Sequence, residues 1–327
     1  MQTTVTLAGP YPSEVPGLIR SLLPPGVTLR EIPEQSGLDV SRDLEVVILR
    51  TLRMDGGLIG GNDRLRFIQR WGAGFDTVDI EAAGRKGVPV AVAAGVNSNA
   101  VAEHAILLML ASLRHLTALD ASVRRGEWDR VRFAQSSFTI ADKVVGLVGC
   151  GAIGRLVAAK AKALGADVRY FDAFRLSPEE EDALGLAYRP LEDLLGESDI
   201  VSLHLPLVDS TRNILDASAL ASMKTGAVLV NTSRGGLVDE AALAERLRSG
   251  ALLGAALDSV AEEPYPDSGP LRGLDNVILT PHMGGTVADL TLPMVRKVTE
   301  NVLRVLEGKP LSRKDIVNQT LCGYPAY

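Results

Sequence analysis

The sequence predicts an α/β protein whose parallel sheets carry helices on both faces, and three observations support that prediction. Short runs rich in Val, Ile and Leu alternate with helical patterns almost throughout the 327 residues, as parallel strand–helix units require. Several runs, such as Val144–Val148, are apolar on both faces, which is typical of fully covered strands. Aromatic residues make up 4% of the chain, so aliphatic side chains must fill the interior.

The length predicts two domains, at roughly 100–200 residues per domain. The helical patterns include Ala152–Leu164, Ala241–Ser249 and Val287–Leu306. The predicted strands are Thr4–Ala8, Leu44–Leu49, Phe67–Arg70, Val88–Val92, Val144–Val148, Asp167–Phe171, Ile200–Leu203, Ala227–Val230, Leu252–Ala256 and Val277–Leu279.

One predicted helix, capped by Asn97 or Ser98, is apolar around its whole circumference over Ala105–Leu110. A helix without a polar face must be buried on all sides. Because one domain covers only one side, we expect a second domain and a partner subunit to cover the rest. The partner would complete a homodimer formed through the helix around 99–113. Burial within the monomer is the alternative.

Composition and charge exclude several classes of partner. The net charge of −6 and the pI near 5.4 have the wrong sign for a general nucleic-acid or anionic-membrane binder. No apolar run approaches the roughly 20 residues that span a bilayer, and the N-terminus lacks the apolar core of a signal peptide. Cys150 and Cys322 cannot build a disulfide framework. We therefore expect a cytoplasmic protein with neither a nucleic-acid nor a membrane partner.

A dinucleotide-binding fingerprint follows the strand Val144–Val148. Its Gly-x-Gly-x-x-Gly pattern places Gly149 at a tight turn, Gly151 where backbone approaches a pyrophosphate, and Gly154 where helix and strand pack closely. The helix that begins near Ala152 and Ile153 would direct unpaired N–H groups at the phosphates.

An acidic residue stands at the expected distance from the fingerprint. The strand Asp167–Phe171 ends in Asp172, 23 residues after Gly149, where a carboxylate can accept hydrogen bonds from the ribose hydroxyls. The same charge would repel a 2′-phosphate, so NAD is favoured over NADP. Arg175 follows closely and could partly offset that preference. A glycine-rich turn in an ordinary α/β domain is the alternative.

Three further segments carry polar residues directly after predicted strands, where α/β folds bind their ligands. The segments are Val228–Gly236, Ala256–Pro264 and Leu279–Gly285. With the fingerprint, they resemble the D-isomer-specific 2-hydroxyacid dehydrogenase family, from about residue 65 to about residue 307 and most weakly in the first 60 residues.

A catalytic triad is implied by this resemblance and agrees with the chemistry of the residues. Arg234 can bind a carboxylate through forked hydrogen bonds and polarise the C2 oxygen. His282 can exchange a proton with that oxygen because its ordinary pKa lies near neutrality. Glu263, which directly precedes Pro264, would orient the imidazole. Glu262 is the alternative carboxylate.

The resemblance implies further contacts to substrate and cofactor. The backbone N–H groups of Ala73 and Gly74 would meet the substrate carboxylate, and Asn97 would lie beside the nicotinamide. His104 is expected to be structural, and no group of residues has the spacing of a metal site. The remaining cofactor contacts would be His204, Pro206, Thr232, Ser233, Asp258, Gly284 and Gly285.

The resemblance also implies the architecture. Two Rossmann-like domains are expected, with an NAD-binding domain at 99–283 inserted into a discontinuous substrate domain at 1–98 and 284–327. The active site would lie in the cleft between them.

The expected activity is hydride transfer between NAD(H) and a D-2-hydroxy acid or 2-keto acid such as glyoxylate or hydroxypyruvate. A 3-phosphoglycerate dehydrogenase is an alternative, because Arg50 follows the strand Leu44–Leu49 where that subfamily has a phosphate-binding Arg. A phosphite-oxidising relative would use a similar triad. An NAD-sensing protein like the corepressors of this fold is the alternative from another class. Formate dehydrogenases resemble the chain less, because they have Gln in place of Glu263.

Overall fold

The computed structural model describes residues 3–128 and 130–327. The chain divides into two compact units, each with its own parallel sheet. Unit 1 comprises Met1–Asn97 and Val287–Tyr327, and unit 2 comprises Ser98–Thr286. The predicted fold class, α/β with parallel sheets flanked by helices, is confirmed.

In the described part of the chain, the sheet of unit 1 has five strands, all parallel. They are β1 (Thr3–Ala8), β2 (Val27–Ile32), β3 (Val46–Leu49), β4 (Phe67–Arg70) and β5 (Val90–Ala91), in the spatial order β2-β1-β3-β4-β5. The connecting helices are α1 (Val15–Leu22), α2 (Gln35–Asp39), α3 (Gly56–Gly60) and α4 (Ile80–Arg85).

Unit 2 has seven parallel strands among its described residues. They are β6 (Val144–Val148), β7 (Asp167–Phe171), β8 (Ala187–Tyr188), β9 (Ile200–Leu203), β10 (Val228–Asn231), β11 (Gly254–Leu257) and β12 (Val277–Leu279), in the order β12-β11-β10-β9-β6-β7-β8. Its helices are α5 (Ser98–Leu113), α6 (Leu116–Arg124), α7 (Arg130–Ala134), α8 (Ala152–Ala163), α9 (Pro178–Leu184), α10 (Leu191–Glu197), α11 (Ala217–Ser222) and α12 (Glu240–Arg248).

The chain then returns to unit 1 through α13 (Thr291–Leu306) and α14 (Gln319–Cys322). Alternate residues of β3 face two cores there. Val46 and Ile48 pack in the core that includes α13, and Val47 and Leu49 pack in the core that includes α3. A strand buried on both faces needs apolar residues at every position, and β3 is wholly buried.

The sequence missed two strands, both at sheet edges. β2 reads Val-Thr-Leu-Arg-Glu-Ile and is at most half-buried, so it lacks the continuous apolar run of the central strands. β8 has two residues. The predicted helix from Val287 begins instead at Thr291, after a 3₁₀ turn at Ala288–Leu290.

Of the two expectations for the helix around 99–113, burial within the monomer alone is wrong, and cover by a partner subunit stays a prediction. Helix α5 buries Ala105, Leu108 and Met109, but Leu107 is 53% exposed. Within the described residues, no single helix is long and apolar enough to cross a bilayer. Helices α5 and α6, which meet at an angle of 61°, reach that length and apolar composition only when taken together.

A buried asparagine joins the C-terminal segment to the sheet of unit 1. Asn318 is 1% exposed. Its Oδ1 accepts from the Val90 amide at 2.8 Å, and its Nδ2 donates to the Val88 carbonyl at 2.9 Å. The side chain therefore satisfies backbone groups that have no strand partner at this edge.

We predict that Asn318→Ala lowers the free energy of unfolding of unit 1 by about 3 kcal/mol, because buried backbone groups lose their partners. Urea denaturation followed by the fluorescence of Trp71, which lies in unit 1, would measure the change in a Trp128→Phe background, because Trp128 lies in unit 2. The matched control is Thr320→Ala, an exposed residue nearby, which should stay within about 0.5 kcal/mol. Equal effects of the two substitutions would contradict the prediction.

Candidate active site

The sheet of unit 2 brings the predicted site residues to one edge. Its strand order reverses between β6 and β9, and ligands of such sheets bind beyond the carboxyl ends of the strands at this point. The residues that follow the strands there are Gly149 after β6, His204 after β9, Thr232 after β10, Asp258 after β11 and Thr280 after β12.

The glycine loop after β6 has the shape that a dinucleotide needs. Gly149 has a φ of +104°, and a Cβ on Gly154 would overlap the carbonyl oxygen of Gly149. A Cβ on Gly151, in contrast, would meet no described atom within 4 Å. Helix α8 begins at Ala152, followed by Ile153, with Gly151 as its N-cap. The loop therefore packs tightly against the protein at Gly149 and Gly154. It leaves free space at Gly151, where the unpaired N–H groups of helix α8 begin.

Asp172 is held rigidly beside this loop. Its Oδ2 accepts from the Cys150 amide at 2.8 Å, and its Oδ1 accepts from the Phe174 amide at 2.9 Å. Each carboxylate oxygen retains a lone pair for a ribose hydroxyl. Burial raises the pKa of the Cys150 thiol to about 11, so this residue fills space and is no nucleophile at neutral pH.

Buried polar atoms without a partner mark three predicted positions. Within the described residues, His204 Nδ1 and Thr232 Oγ1 in unit 2 and Asn97 Oδ1 in unit 1 make no hydrogen bond. Burial lowers the pKa of His204 to about 4, so the ring is neutral at pH 7, with Nε2 3.0 Å from Ser202 Oγ. Orphaned buried polar atoms are rare without a ligand or water. The orphaned atoms of His204 and Thr232 lie in the same unit as the open glycine loop and fit a dinucleotide bound there.

Two other predicted cofactor residues are used in loop structure. The hydroxyl of Ser233 donates to the Leu203 carbonyl at 2.7 Å. The Pro206 carbonyl accepts from Thr211 Oγ1 at 2.7 Å. These bonds fix the loops after β9 and β10 at the same sheet edge.

Glu263 and His282 form a hydrogen-bonded pair. His282 has a φ of +55°, and its Nδ1 lies 3.0 and 3.2 Å from the two carboxylate oxygens of Glu263. Burial raises the pKa of Glu263, but the His282 hydrogen bond and the nearby charges of His282 and Arg234 hold it below its usual value. Because an ionised carboxylate only accepts, we assign the proton to Nδ1. The other imidazole nitrogen, Nε2, is then the basic one.

Arg234 is positioned by the loop after β10. Asn231, which is fully buried, donates from Nδ2 to the Arg234 carbonyl at 2.9 Å, and Arg234 Nη1 donates to the Ser233 carbonyl at 2.7 Å. A Cβ on Gly235 would overlap the carbonyl of Val260. The loop that carries Arg234 thus packs directly on the loop that leads to Glu263.

The Asp258 carboxylate organises the third loop. Its Oδ1 accepts from Thr280 Oγ1 at 2.6 Å and from the Met283 amide at 2.8 Å, and its Oδ2 accepts from the Gly284 amide at 2.7 Å. Burial raises the pKa of Asp258, but these bonds and the His104 imidazole outweigh that effect and lower it to about 2. The contacts of Asp258, Gly284 and Gly285 with the cofactor remain predictions.

The predicted substrate loop belongs to unit 1. The Gly72 carbonyl accepts from the Ala93 amide at 2.8 Å, and the Gly74 carbonyl accepts from Arg70 Nε at 2.9 Å. Because C=O and N–H point in opposite directions across a trans peptide, the N–H groups of Ala73 and Phe75 point away from these contacts. In the part of the chain that the structure describes, Ala73 and Gly74 donate no hydrogen bond.

The comparisons with known proteins agree with this geometry. The family model described as D-isomer specific 2-hydroxyacid dehydrogenase, NAD binding domain, matches residues 106–284. A glyoxylate reductase of Pyrococcus furiosus is 37% identical over 286 residues, which are 86% of this chain and 84% of that protein. The chain belongs to the D-isomer-specific 2-hydroxyacid dehydrogenase family.

Two further relatives are similar. A D-3-phosphoglycerate dehydrogenase of Mycobacterium leprae is 41% identical over 256 residues, 78% of this chain and 48% of that protein, so this chain spans about half of that relative. The NAD complex of formate dehydrogenase from Staphylococcus aureus has a TM-score of 0.87 at 25% identity, over 96% of this chain and 99% of that one.

The chain is an NAD-dependent D-2-hydroxyacid dehydrogenase. It is an oxidoreductase that transfers a hydride between NAD(H) and acids of the 2-hydroxy and 2-keto class. The sequence predicted both the family and the cofactor.

Sequence reasoning missed two residues that position this dehydrogenase's site. His104 Nε2 lies 3.3 Å from Asp258 Oδ1 and 3.2 Å from Thr280 Oγ1, so the structural role expected of it is specific to the His282 loop. Asn231 holds the Arg234 backbone. The available signal was a polar residue next to apolar ones. For His104 it does not reveal partners more than 150 residues away, and for Asn231 it does not reveal the bond back to the Arg234 carbonyl.

We predict that Asp258→Asn lowers the free energy of unfolding by about 2 kcal/mol at pH 7. The folded-state pKa of Asp258 lies below its unfolded value, so its contribution is present above pH 4 and is lost as the pH falls toward 2. The difference between the two proteins, measured by urea denaturation from pH 7 to 2, should therefore shrink below pH 4.

Asp209→Asn is the matched control, since Asp209 is exposed in the same unit and should change stability little at any pH. A stability difference for Asp258→Asn that stays constant down to pH 2 would contradict the role of its charge.

Proposed function

We propose that the dehydrogenase reduces a small 2-keto acid, such as glyoxylate or hydroxypyruvate, at the cluster of Arg234, Glu263 and His282. The observation that carries this proposal is the Glu263–His282 pair at 3.0 Å, with the charge of Arg234 close enough to lower the pKa of Glu263. A cation, a proton carrier and its orienting carboxylate are the groups that this reaction needs beside the cofactor.

Arg234 is the proposed binder of the substrate carboxylate. Its guanidinium offers several N–H donors in one plane, and a forked pair of bonds to a carboxylate or to adjacent carboxylate and carbonyl oxygens is charge-assisted. The same donors polarise the C2 carbonyl, because they stabilise the negative charge that develops on its oxygen during reduction.

His282 is the proposed acid and base. NAD(H), when bound, supplies or accepts the hydride. With Nδ1 directed at Glu263, His282 Nε2 can give a proton to the C2 oxygen in reduction and take it back in oxidation. The ionised carboxylate of Glu263 fixes the tautomer and stabilises the imidazolium that oxidation produces.

The two units take the roles that the resemblance implies. We propose that residues 99–283 bind NAD and that 1–98 with 284–327 bind substrate. The glycine loop and Asp172 in the first support this assignment, as do the amides of Ala73 and Gly74 in the second, which donate no hydrogen bond among the described residues. Ala73, Gly74 and Asn97 remain the proposed substrate contacts.

The cofactor contacts also keep their proposed roles, which the open glycine loop and the buried polar atoms of His204 and Thr232 support. They are Gly149, Gly151, Ala152, Ile153, Gly154, Asp172, His204, Pro206, Thr232, Ser233, Asp258, Gly284 and Gly285.

A 3-phosphoglycerate dehydrogenase activity is the second candidate. The similarity to the M. leprae enzyme supports it, as does Arg50, which follows β3 at the carboxyl end of the sheet in unit 1. Arg50 Nη1 donates to the Pro10 carbonyl at 2.5 Å, which leaves other N–H groups of this guanidinium for a phosphate.

We further propose a cytoplasmic homodimer with neither a nucleic-acid nor a membrane partner. Leu107, which is half-exposed within the apolar run Ala105–Leu110 of α5, supports a partner subunit. The free thiols of Cys150 and Cys322 are compatible with a reducing compartment, and the net charge of −6 disfavours polyanionic partners.

A panel of 2-keto acids assayed with NADH and NADPH tests the function. We predict reduction of glyoxylate or hydroxypyruvate with a preference for NADH. Arg234→Ala should lower kcat/KM for the keto acid by about 10²-fold or more, while NADH binding measured by fluorescence is retained.

Arg189→Ala is the control for loss of a positive charge, because Arg189 pairs with Glu197 at the surface of the same unit. It should leave turnover unchanged. Failure to reduce any 2-keto acid would overturn the proposed function, and full activity of Arg234→Ala would move substrate binding elsewhere. Oxidation of 3-phosphoglycerate in preference to all other acids would favour the second candidate.

A further inference from the structure

The loop between β7 and α9 contains an arginine whose side chain is already bound. Arg175 lies three residues after Asp172. Its Nε is 2.8 Å from Oε1 of Glu181 and its Nη2 is 3.0 Å from Oε2, a forked arrangement that uses one whole edge of the guanidinium. The guanidinium also stacks on the ring of Tyr188 at 4.9 Å.

Glu181 is itself held in place from the protein side. The Tyr170 hydroxyl donates to Glu181 Oε1 at 2.7 Å and accepts from the Leu176 amide at 2.9 Å. Tyr170 is fully buried. Arg175 and Tyr170 together lower the pKa of Glu181 to about 2, so its carboxylate is ionised throughout the physiological range.

This arrangement bears on the choice of cofactor. A 2′-phosphate on the adenine ribose carries extra negative charge, and folds of this type accommodate it with an arginine near the end of the second strand of the nucleotide-binding half. Arg175 is the one arginine of the β7–α9 loop, which comprises residues 172–177. The forked bond and the stacking fix the direction of the guanidinium, and turning it toward another anion would break both.

We propose that Glu181 is a cofactor-specificity residue, which excludes NADP by holding Arg175 away from the 2′-position of the ribose. The inference rests on the proposed nucleotide site at Asp172 and adds a second selecting group to it. Asp172 repels the 2′-phosphate directly, and Glu181 withholds the cation that would compensate. An exposed ion pair contributes little to stability, but releasing Arg175 also leaves a fixed, largely covered carboxylate without its partner.

Because Asp172 and Glu181 each oppose the 2′-phosphate in a different way, the inference predicts the result of combining substitutions at both residues. Asp172→Ser alone removes the repulsion but leaves Arg175 bound to Glu181. Glu181→Gln alone releases Arg175 but leaves Asp172 to repel the phosphate. The double variant removes both obstacles, so its effect should exceed the combined effects of the single substitutions.

Calorimetric binding of 2′,5′-ADP and 5′-AMP tests this without turnover. The quantity is the ratio of the two dissociation constants, which isolates the 2′-phosphate. Asp172→Ser/Glu181→Gln should favour 2′,5′-ADP roughly tenfold or more beyond the product of the single effects, the gain expected from a new charge-assisted contact. The ratio of kcat/KM with NADPH and NADH should change in parallel.

Two controls distinguish the effect of the Arg175–Glu181 ion pair from a general effect of removing a negative charge. Glu179→Gln removes the same charge from the same turn of α9, and Glu179 forms no ion pair within the described residues. Combined with Asp172→Ser, it should give no excess gain. Adding Arg175→Ala should abolish the gain of the double variant, yet leave the ratio of Asp172→Ser unchanged because Arg175 is bound there.

Three outcomes would overturn the inference. They are simple additivity of the two substitutions, an equal gain with Glu179→Gln, and a gain that survives Arg175→Ala. Because Glu181→Gln keeps the shape of the side chain and the Tyr170 contact, thermal unfolding should remain close to that of the unmodified protein. An unmodified protein that binds neither nucleotide would instead contradict the nucleotide site itself.

Discussion

Hydrogen bonds from Thr280, from the amides of Met283 and Gly284, and from His104 converge on the carboxylate of Asp258, a side chain that is 2% exposed. The backbone reinforces this junction, because the His282 amide donates to the Asp258 carbonyl at 2.9 Å. His282 can adopt its left-handed backbone, which is unfavourable for a residue with a Cβ, because its neighbours on both sides are fixed. The position of the His282 imidazole, the proposed acid and base, thus depends on the buried charge of Asp258.

The other two members of the triad depend on the same sheet edge. The loop after β10 carries Arg234 and packs on the loop after β11 at Gly235, and the loop after β11 leads from Asp258 to Glu263. Three loops from adjacent parallel strands therefore support one another. A displacement of any one of these loops would alter the distance between Glu263 and His282. The hydrogen bond across that distance fixes the tautomer of the imidazole and stabilises its protonated form.

The central strands and the glycine loop were predictable from the sequence, because short local patterns encode them. Fully buried strands such as Val144–Val148 have continuous apolar runs, and the glycine spacing specifies a loop. Edge strand β2 was missed because half-exposed positions tolerate Arg30 and Glu31. The partners of His104 were missed for a different reason. Asp258 and Thr280 lie more than 150 residues away in the chain, and a single sequence does not record that proximity.

The most direct test of this account is the tautomer of His282, measured by ¹⁵N NMR on protein labelled at its four histidines and assigned with His282→Asn. The account predicts that the neutral ring carries its proton on Nδ1, and that Glu263→Ala shifts the proton toward Nε2. A neutral ring protonated on Nε2 in the unmodified protein, or a tautomer ratio that Glu263→Ala leaves unchanged, would contradict it.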